Sequence, residues 1–430
     1  MRRKLLIFTL CASMVLGATA CGKETSQAKG TPVEIEAGDC YTFNDVKDED
    51  VDSTWTFESD NEDVAFVRGG KYICAKAAGT ANITVNKGDE TEVYTVTVTD
   101  AENESDKLLK VTDVKDENIY LGAGYNAFES DEYITNKQLI MGNGTIIKSD
   151  ILKEEYDDDD TLFRREKADV DEYMYIQGDS SEQYDNNYAT TIDGALKVNV
   201  KDIVSGNVSG KFVDSAKENE NKQKLYTTIF SYNQKYIYIL NATDDQLRAM
   251  AKQNKKAWKM LTGVNDDSPA DVFEKYGTHI ITQAVIGGRL ELDYTITSNN
   301  SSTKKEDFLN IAGGLDLKIS AVKGSAQASY NDDKLKELKK QDCTITTSVR
   351  VYGGDVTGAS VITDLESFAT AYPAWYDSIN DDTLTFIGTT QYGLLPIWDL
   401  LPDDEAGIAR KNELKKYYKD HMNELSKKKK

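Results

Sequence analysis

Two kinds of hydrophobic patterning divide the chain. Between residues 31 and 100, short apolar runs are separated by turn signals. In Tyr94-Thr95-Val96-Thr97-Val98-Thr99 apolar and hydroxylated side chains alternate with period two, as a half-buried strand requires. Val64-Ala65-Phe66-Val67, Tyr72-Ile73-Cys74-Ala75 and Ala81-Asn82-Ile83-Thr84-Val85 predict further strands, punctuated by Gly69-Gly70 and Gly79. An all-β sandwich over 31–100 follows. Residues 101–109 are polar and acidic, a linker. Beyond them the elements lengthen. Leu225 to Leu240 alternates as one long strand, Thr243 to Leu261 has helical spacing with Thr243 or Asp244 as cap, and Arg289 to Thr297 and Thr344 to Tyr352 predict strands. Leu290, Leu292, Tyr294 and Ile296 fall on one face. From Glu405 an amphipathic helix runs to a basic end that suits its dipole. With no second composition break, 110–430 is expected to be one α+β domain.

Two further segments alternate in a way a packed domain does not demand. Ile192, Gly194, Leu196, Val198 and Val200 face one way, and after a slip Val204, Gly206, Val208, Gly210 and Phe212 continue. Each half is about ten residues, the length of a tilted membrane-crossing β-strand. A weaker copy has Leu315, Leu317, Ile319 and Ala321, then, after a second slip, Val322, Gly324, Ala326, Ala328 and Tyr330. Ordinary amphipathic strands of a water-soluble domain give the same pattern, so periodicity alone leaves both readings open.

The N-terminus changes the compartment. Arg2-Arg3-Lys4, an apolar stretch from Leu5 to Leu16 and Ala18-Thr19-Ala20-Cys21 form a signal peptide over 1–20, too short in its apolar part to span a bilayer. Small residues before Cys21 resemble the lipobox of bacterial lipoproteins, with Ala18 where that pattern usually has Leu. Cys21 is then the lipid anchor and 21–30 a polar tether, which puts the protein on the bacterial cell surface. Cys40, Cys74 and Cys343 remain. A Cys40 to Cys74 disulfide is compatible with export, and buried free thiols are the competing reading.

A net charge of −22, from 51 Lys and Arg against 73 Asp and Glu, excludes a nucleic-acid partner and disfavours unspecific adhesion to anionic lipid. No catalytic elbow, metalloprotease helix, phosphate loop or Cys/His cluster is present, so neither an enzyme nor a cofactor is expected.

Tyr276-Gly277-Thr278-His279, followed by Gly287-Gly288-Arg289, resembles the signature of the membrane-attack-complex/perforin family. Tyr120-Leu121-Gly122-Ala123-Gly124-Tyr125-Asn126 is similar to the family's early glycine-rich stretch, and Trp375-Tyr376-Asp377-Ser378-Ile379 and Leu395-Pro396-Ile397-Trp398 to its closing segments. The resemblance implies a bent, twisted antiparallel sheet with two flanking helical or hairpin clusters, one before and one after the signature. It implies that these clusters, here 185–220 and 305–340, are released as membrane hairpins by a homo-oligomeric ring on a target lipid membrane. Gly287-Gly288 would be the hinge and His279 a structural histidine, since His421 is the sole other histidine. A separate resemblance, carried by Lys76-Ala77-Ala78-Gly79-Thr80-Ala81-Asn82-Ile83-Thr84-Val85, is to bacterial immunoglobulin-like group 2 domains, which implies a spacer. A non-lytic adhesin that keeps the fold, with an unknown surface receptor, is the rival expectation, and an antibacterial toxin a variant of the first.

Overall fold

The computed structural model describes residues 30–43, 55–99, 120–129, 139–141, 144–158, 162–196, 222–300, 302–322 and 325–428. Residues 1–29, with the expected signal peptide and Cys21, and the expected linker over 101–109 lie outside them. So do Val198, Val200, Val204, Val208 and Phe212.

Seven strands build the N-terminal unit: β1 (Thr31–Glu36), β2 (Cys40–Thr42), β3 (Trp55–Ser59), β4 (Ala65–Arg68), β5 (Tyr72–Ala75), β6 (Gly79–Lys87) and β7 (Glu90–Thr99). They form a sheet ordered β1-β7-β6-β3 and a second ordered β2-β5-β4. Alternation is realised on β7, where Val96 and Val98 are buried and Thr97 and Thr99 exposed. With Val33, Phe43, Ile73, Ile83 and Val85 they make one shared core. Cys40 and Cys74 stand opposite each other in the β2–β5 register and are joined by a disulfide.

The second unit begins with β8 (Gly124–Tyr125), β9 (Ile140–Met141) and α1 (Ser149–Asp158). It continues through β10 (Phe163–Gly178), α2 (Ser181–Leu196), β11 (Lys224–Leu240), α3 (Asp244–Gln253), α4 (Lys255–Thr262) and α5 (Pro269–Tyr276). Then come β12 (His279–Ile281), β13 (Gln283–Ser298), α6 (Lys305–Ala312), β14 (Lys318–Val322), β15 (Ser325–Ser329), α7 (Asp332–Lys340) and β16 (Cys343–Tyr352). The chain closes with α8 (Val356–Ala359), α9 (Leu365–Asp377), β17 (Thr385–Gly388), β18 (Leu394–Pro396) and α10 (Glu405–Lys428). Its centre is the antiparallel sheet β10-β11-β13-β16, with β17 added beside β13. Register shifts between Lys167 and Val170 on β10 and between Gln234 and Tyr236 on β11 bulge the two neighbouring strands at one level, which bends and twists the sheet there.

The expected single helix over 243–261 is two. Thr243 and Gln246 form a capping box at the start of α3, but Asn254 ends that helix and its side chain caps α4 by accepting from the Ala257 N–H. Asn254 also donates from Nδ2 to the Thr145 and Ile146 carbonyls, so the break is held by tertiary bonds that no local pattern reveals.

The two units touch at one end of the sheet. Arg68, at the end of β4, is 1% exposed and donates from Nη2 to the carbonyls of Leu240 and Ala242, each at 2.8 Å. The Gly69 N–H donates to Asp244 Oδ2 at 2.7 Å. Burial lowers the Arg68 guanidinium to about 10, so it is still cationic at neutral pH, and raises the Asp244 carboxyl to about 6. Tyr72 packs edge-on against Tyr392, and Gly38 abuts the Glu166 carboxylate.

Candidate functional site

The aromatic-Gly-Thr-His block is a knot of main chain. Ser268 and Asp271 form a capping box that starts α5, and Gly277 ends it at φ +76°, where its backbone lies so close to that of Tyr125 that an added Cβ would meet the Tyr125 carbonyl at 2.6 Å. Thr278 follows, wholly buried. Its N–H donates to the Tyr125 carbonyl at 2.8 Å, its Oγ1 accepts the Ala127 N–H at 3.0 Å, and its carbonyl accepts from the Ile397 N–H. His279 then pairs with Tyr125 of β8 on one side and Pro396 of β18 on the other. Three stretches far apart in sequence are thereby sewn together by one dipeptide.

The His279 imidazole lies 2.8 Å from Thr278 Oγ1 through Nδ1, packed against the Trp398 and Tyr418 rings. Burial lowers its pKa to about 3, so it is neutral at physiological pH. Among the described residues no three of His, Cys, Asp and Glu are grouped to hold a metal ion.

Gly287 and Gly288 lie mid-strand on β13. Gly287 is paired with Gln234 at the β11 bulge, and an added Cβ would meet the Asn233 carbonyl at 1.9 Å. At Gly288 it would meet Ile379 Cδ1 at 2.5 Å. Side chains are excluded by the neighbouring strand and by Ile379, two residues past α9. Trp375 on α9 donates from Nε1 to the Gly353 carbonyl beside them. The double glycine therefore occupies the level at which the sheet bends.

Both alternating segments leave the same end of the sheet. Gly178 of β10 and Lys224 of β11 flank the first, and Ser298 of β13 and Cys343 of β16 flank the second. They cover opposite faces. On one face Tyr184, Tyr188 and Ile192 of α2, spaced four residues apart, pack on Tyr226, Phe230 and Tyr232. On the other, Phe308, Leu315, Leu317, Ala326 and Leu338 pack on Leu225, Ile229, Leu290 and Leu292. Ile192 and Leu196 are thus helical, not extended. The i, i+4, i+8 stripe of aromatic and branched side chains dominates the start of that segment. The second segment departs from the implied small helices as well. Between α6 and α7 it is already a β-hairpin, with Ile319 opposite Ala328 and Ala321 opposite Ala326. The second phase slip, at Ala321-Val322, is that hairpin reversing, with Val322 paired to Ser325.

A model of the MAC/Perforin domain matches residues 117–429. The chain belongs to the MAC/Perforin family. Among solved structures, a MAC/Perforin-domain protein from Bacteroides thetaiotaomicron VPI-5482 matches with TM-score 0.50 and 14% identity over 74% of this chain and 62% of that one. GNIP1Aa from Chromobacterium piscinae matches with TM-score 0.44 and 16% identity over 74% and 57%. The chain therefore spans less than two thirds of either of those proteins, and the likeness to the Bacteroides protein is one of fold. No curated protein matches it.

Within the MAC/Perforin domain the sequence pattern missed a buried ionic ladder. Glu291 and Asp293 of β13 are almost fully buried, and Arg350 of the adjacent β16 bridges them, Nη2 to Glu291 Oε1 at 2.5 Å and to Asp293 Oδ2 at 2.9 Å. Thr228 donates to Asp293 and also meets the Tyr184 hydroxyl, which links the ladder to α2. The Arg289, Glu291 and Asp293 face of β13, opposite Leu290 and Leu292, is buried as well, and a charge every second residue is its only mark in the sequence.

Proposed function

We propose that this protein is a non-enzymatic pore former, exported and held on the bacterial surface by a lipid on Cys21, whose MAC/Perforin domain assembles into rings on a target membrane. An immunoglobulin-like sandwich precedes that domain. The observation that carries the reading is the common exit of both alternating segments from one end of a four-stranded antiparallel sheet. Extended as hairpins, they prolong β10, β11, β13 and β16 without changing the register of any of them. Backbone groups in lipid must all be paired, so one copy cannot insert alone. Among the described residues β10 pairs only with β11 and β16 only with β13, and the two run in opposite directions. Copies can then join edge to edge, antiparallel throughout, until the sheet closes. No described helix is long and apolar enough to cross a membrane, which leaves strands as the route. Gly287-Gly288 is the hinge of this reading, because a flattening sheet must change its backbone where side chains are excluded.

Dye release from liposomes by the mature protein, with rings sought by electron microscopy, tests it. Release accompanied by rings is expected, and intact vesicles without rings across varied lipids would sink it. The second hairpin favours the rival, a non-lytic adhesin that retains the fold. Lys318, Ser320, Ser325, Gln327 and Ser329 alternate with small apolar residues, a thin lipid face. Binding to target cells without dye release would be its signature.

A further inference from the structure

The end of the sheet opposite the hairpins carries the N-terminal sandwich, and it is clasped there. Arg68 ties β4 to the main chain at Leu240, the last residue of β11, and at Ala242 just beyond it, while Gly69 ties the same turn to Asp244. Gly38, two residues beyond β1, rests on Glu166 near the start of β10. Phe66 and the Cys40–Cys74 pair share a small apolar cluster with Tyr72 and Tyr392, which closes the contact. Cys40, Phe66, Arg68, Tyr72 and Cys74 share the outer face of the β2-β5-β4 sheet, so the sandwich is docked through that face. Gly38 lies beside Glu166, while Thr31 lies toward the Gly69 turn, because the Phe43 N–H donates to the Lys71 carbonyl and the Phe43 ring packs on Tyr94, the partner of Thr31.

We infer that the pore-forming end points away from the membrane that holds the lipid, so that the bilayer perforated is a second, apposed one. The inference rests on the pore-forming reading and on acylation at Cys21. Lengths decide it. The 17 residues of β11 span roughly 55 Å when straight, and about 42 Å of height at a barrel tilt near 40°. The sandwich adds about 20 Å if it projects along that axis, from Gly38 back to Thr31. The stretch from Cys21 to Thr31 reaches at most about 35 Å. Gly38 sits level with Ile237, about 33 Å up β11, and Thr31 lies beyond it on the Asp244 side, so a docked molecule standing with its hairpins in its own membrane would hold Thr31 roughly 40 to 55 Å above the lipid. The tether is too short for that height. Without the clasp the limit disappears, because residues 100–119 could add about 65 Å of contour.

Two vesicle populations of the same phosphatidylethanolamine and phosphatidylglycerol mixture test this. The acylated full-length mature chain is reconstituted on the first, loaded with one dye, and the second, loaded with another, is then added. Release of the second dye with the first retained is expected. Release of the first dye overturns the orientation. A Cys21→Ser protein, free in solution, should empty both populations. If it does and the acylated chain empties neither, the orientation fails while pore formation stands; if it empties neither, pore formation fails and the orientation with it. Arg68→Met on the acylated chain, checked for folding by circular dichroism, should begin to release the first dye. A folded Arg68→Met protein that still retains it would show that the clasp does not set the direction.

Discussion

The two segments that flank the signature cover opposite faces of one sheet yet are stored differently. The first is held as a helix by large rings, with Tyr184, Tyr188 and Ile192 wholly buried over Tyr226 and Phe230 and a hydroxyl contact to the Thr228–Asp293–Arg350 ladder. The second already contains a β-hairpin of small residues between two short helices. Extending the first requires a helix to unwind and several aromatic side chains to leave a core. The second must detach, but its central strands are already paired. The difference places the main energetic barrier of any release on the first segment and the weaker lipid face on the second.

Substitutions can break or sharpen this contrast. The largest effect is expected from Val198→Asp with Val208→Asp, two charges on the proposed lipid face. A membrane-buried charge costs several kcal/mol, so dye release should be lost while the melting temperature of the monomer is retained. Leakage that persists would remove the hairpin assignment for the first segment.

Next comes the fixed point between the segments. His279 has its folded pKa lowered to about 3 from an unfolded value near 6.5, so the unfolded chain binds more protons between those limits. Its contribution to stability is complete above pH 6.5 and is lost as pH falls toward 3, on the order of 5 kcal/mol in all. Denaturant titrations from pH 7 to 4 should show a decline that His279→Gln flattens. An unchanged slope in that variant would contradict a buried neutral imidazole.

Smaller effects compare the segments directly. Ile192→Ala and Leu338→Ala each remove a fully buried side chain, at about 3 kcal/mol of local packing. If the first segment holds the barrier, Ile192→Ala should speed leakage about tenfold and Leu338→Ala much less; equal acceleration would place the barrier on both. Thr243→Ala, which removes the α3 cap far from either segment, should cost about 1 kcal/mol in denaturant unfolding with little change in leakage rate.

Strands were the most legible part of the sequence. The β11 and β16 spans follow from alternation to within a residue, because period two reports a face against a core. β13 starts six residues before the predicted Arg289, since Gln283 to Gly288 is buried on both faces and leaves no alternation to read. The signature block pointed to the fold, but not to the Thr278 bonds that make it a junction, because Tyr125 and Ile397 are 153 and 119 residues away. Period two misread Ile192 to Leu196, where the preceding aromatic stripe governs. Arg68 was illegible: a lone arginine before two glycines is ordinarily an exposed turn residue, and nothing local says that a carbonyl pair some 170 residues later receives it.

One further consequence lies in the even number of strands. Each copy of the β10-β11-β13-β16 sheet would contribute four strands to a closed wall, so its strand count is a multiple of four whatever the ring size. At about 4.8 Å between strands and a tilt near 40°, one copy occupies roughly 25 Å of circumference, or about 8 Å of diameter. The width of the hole, read from the largest solute that escapes a vesicle, would then count the molecules that made it.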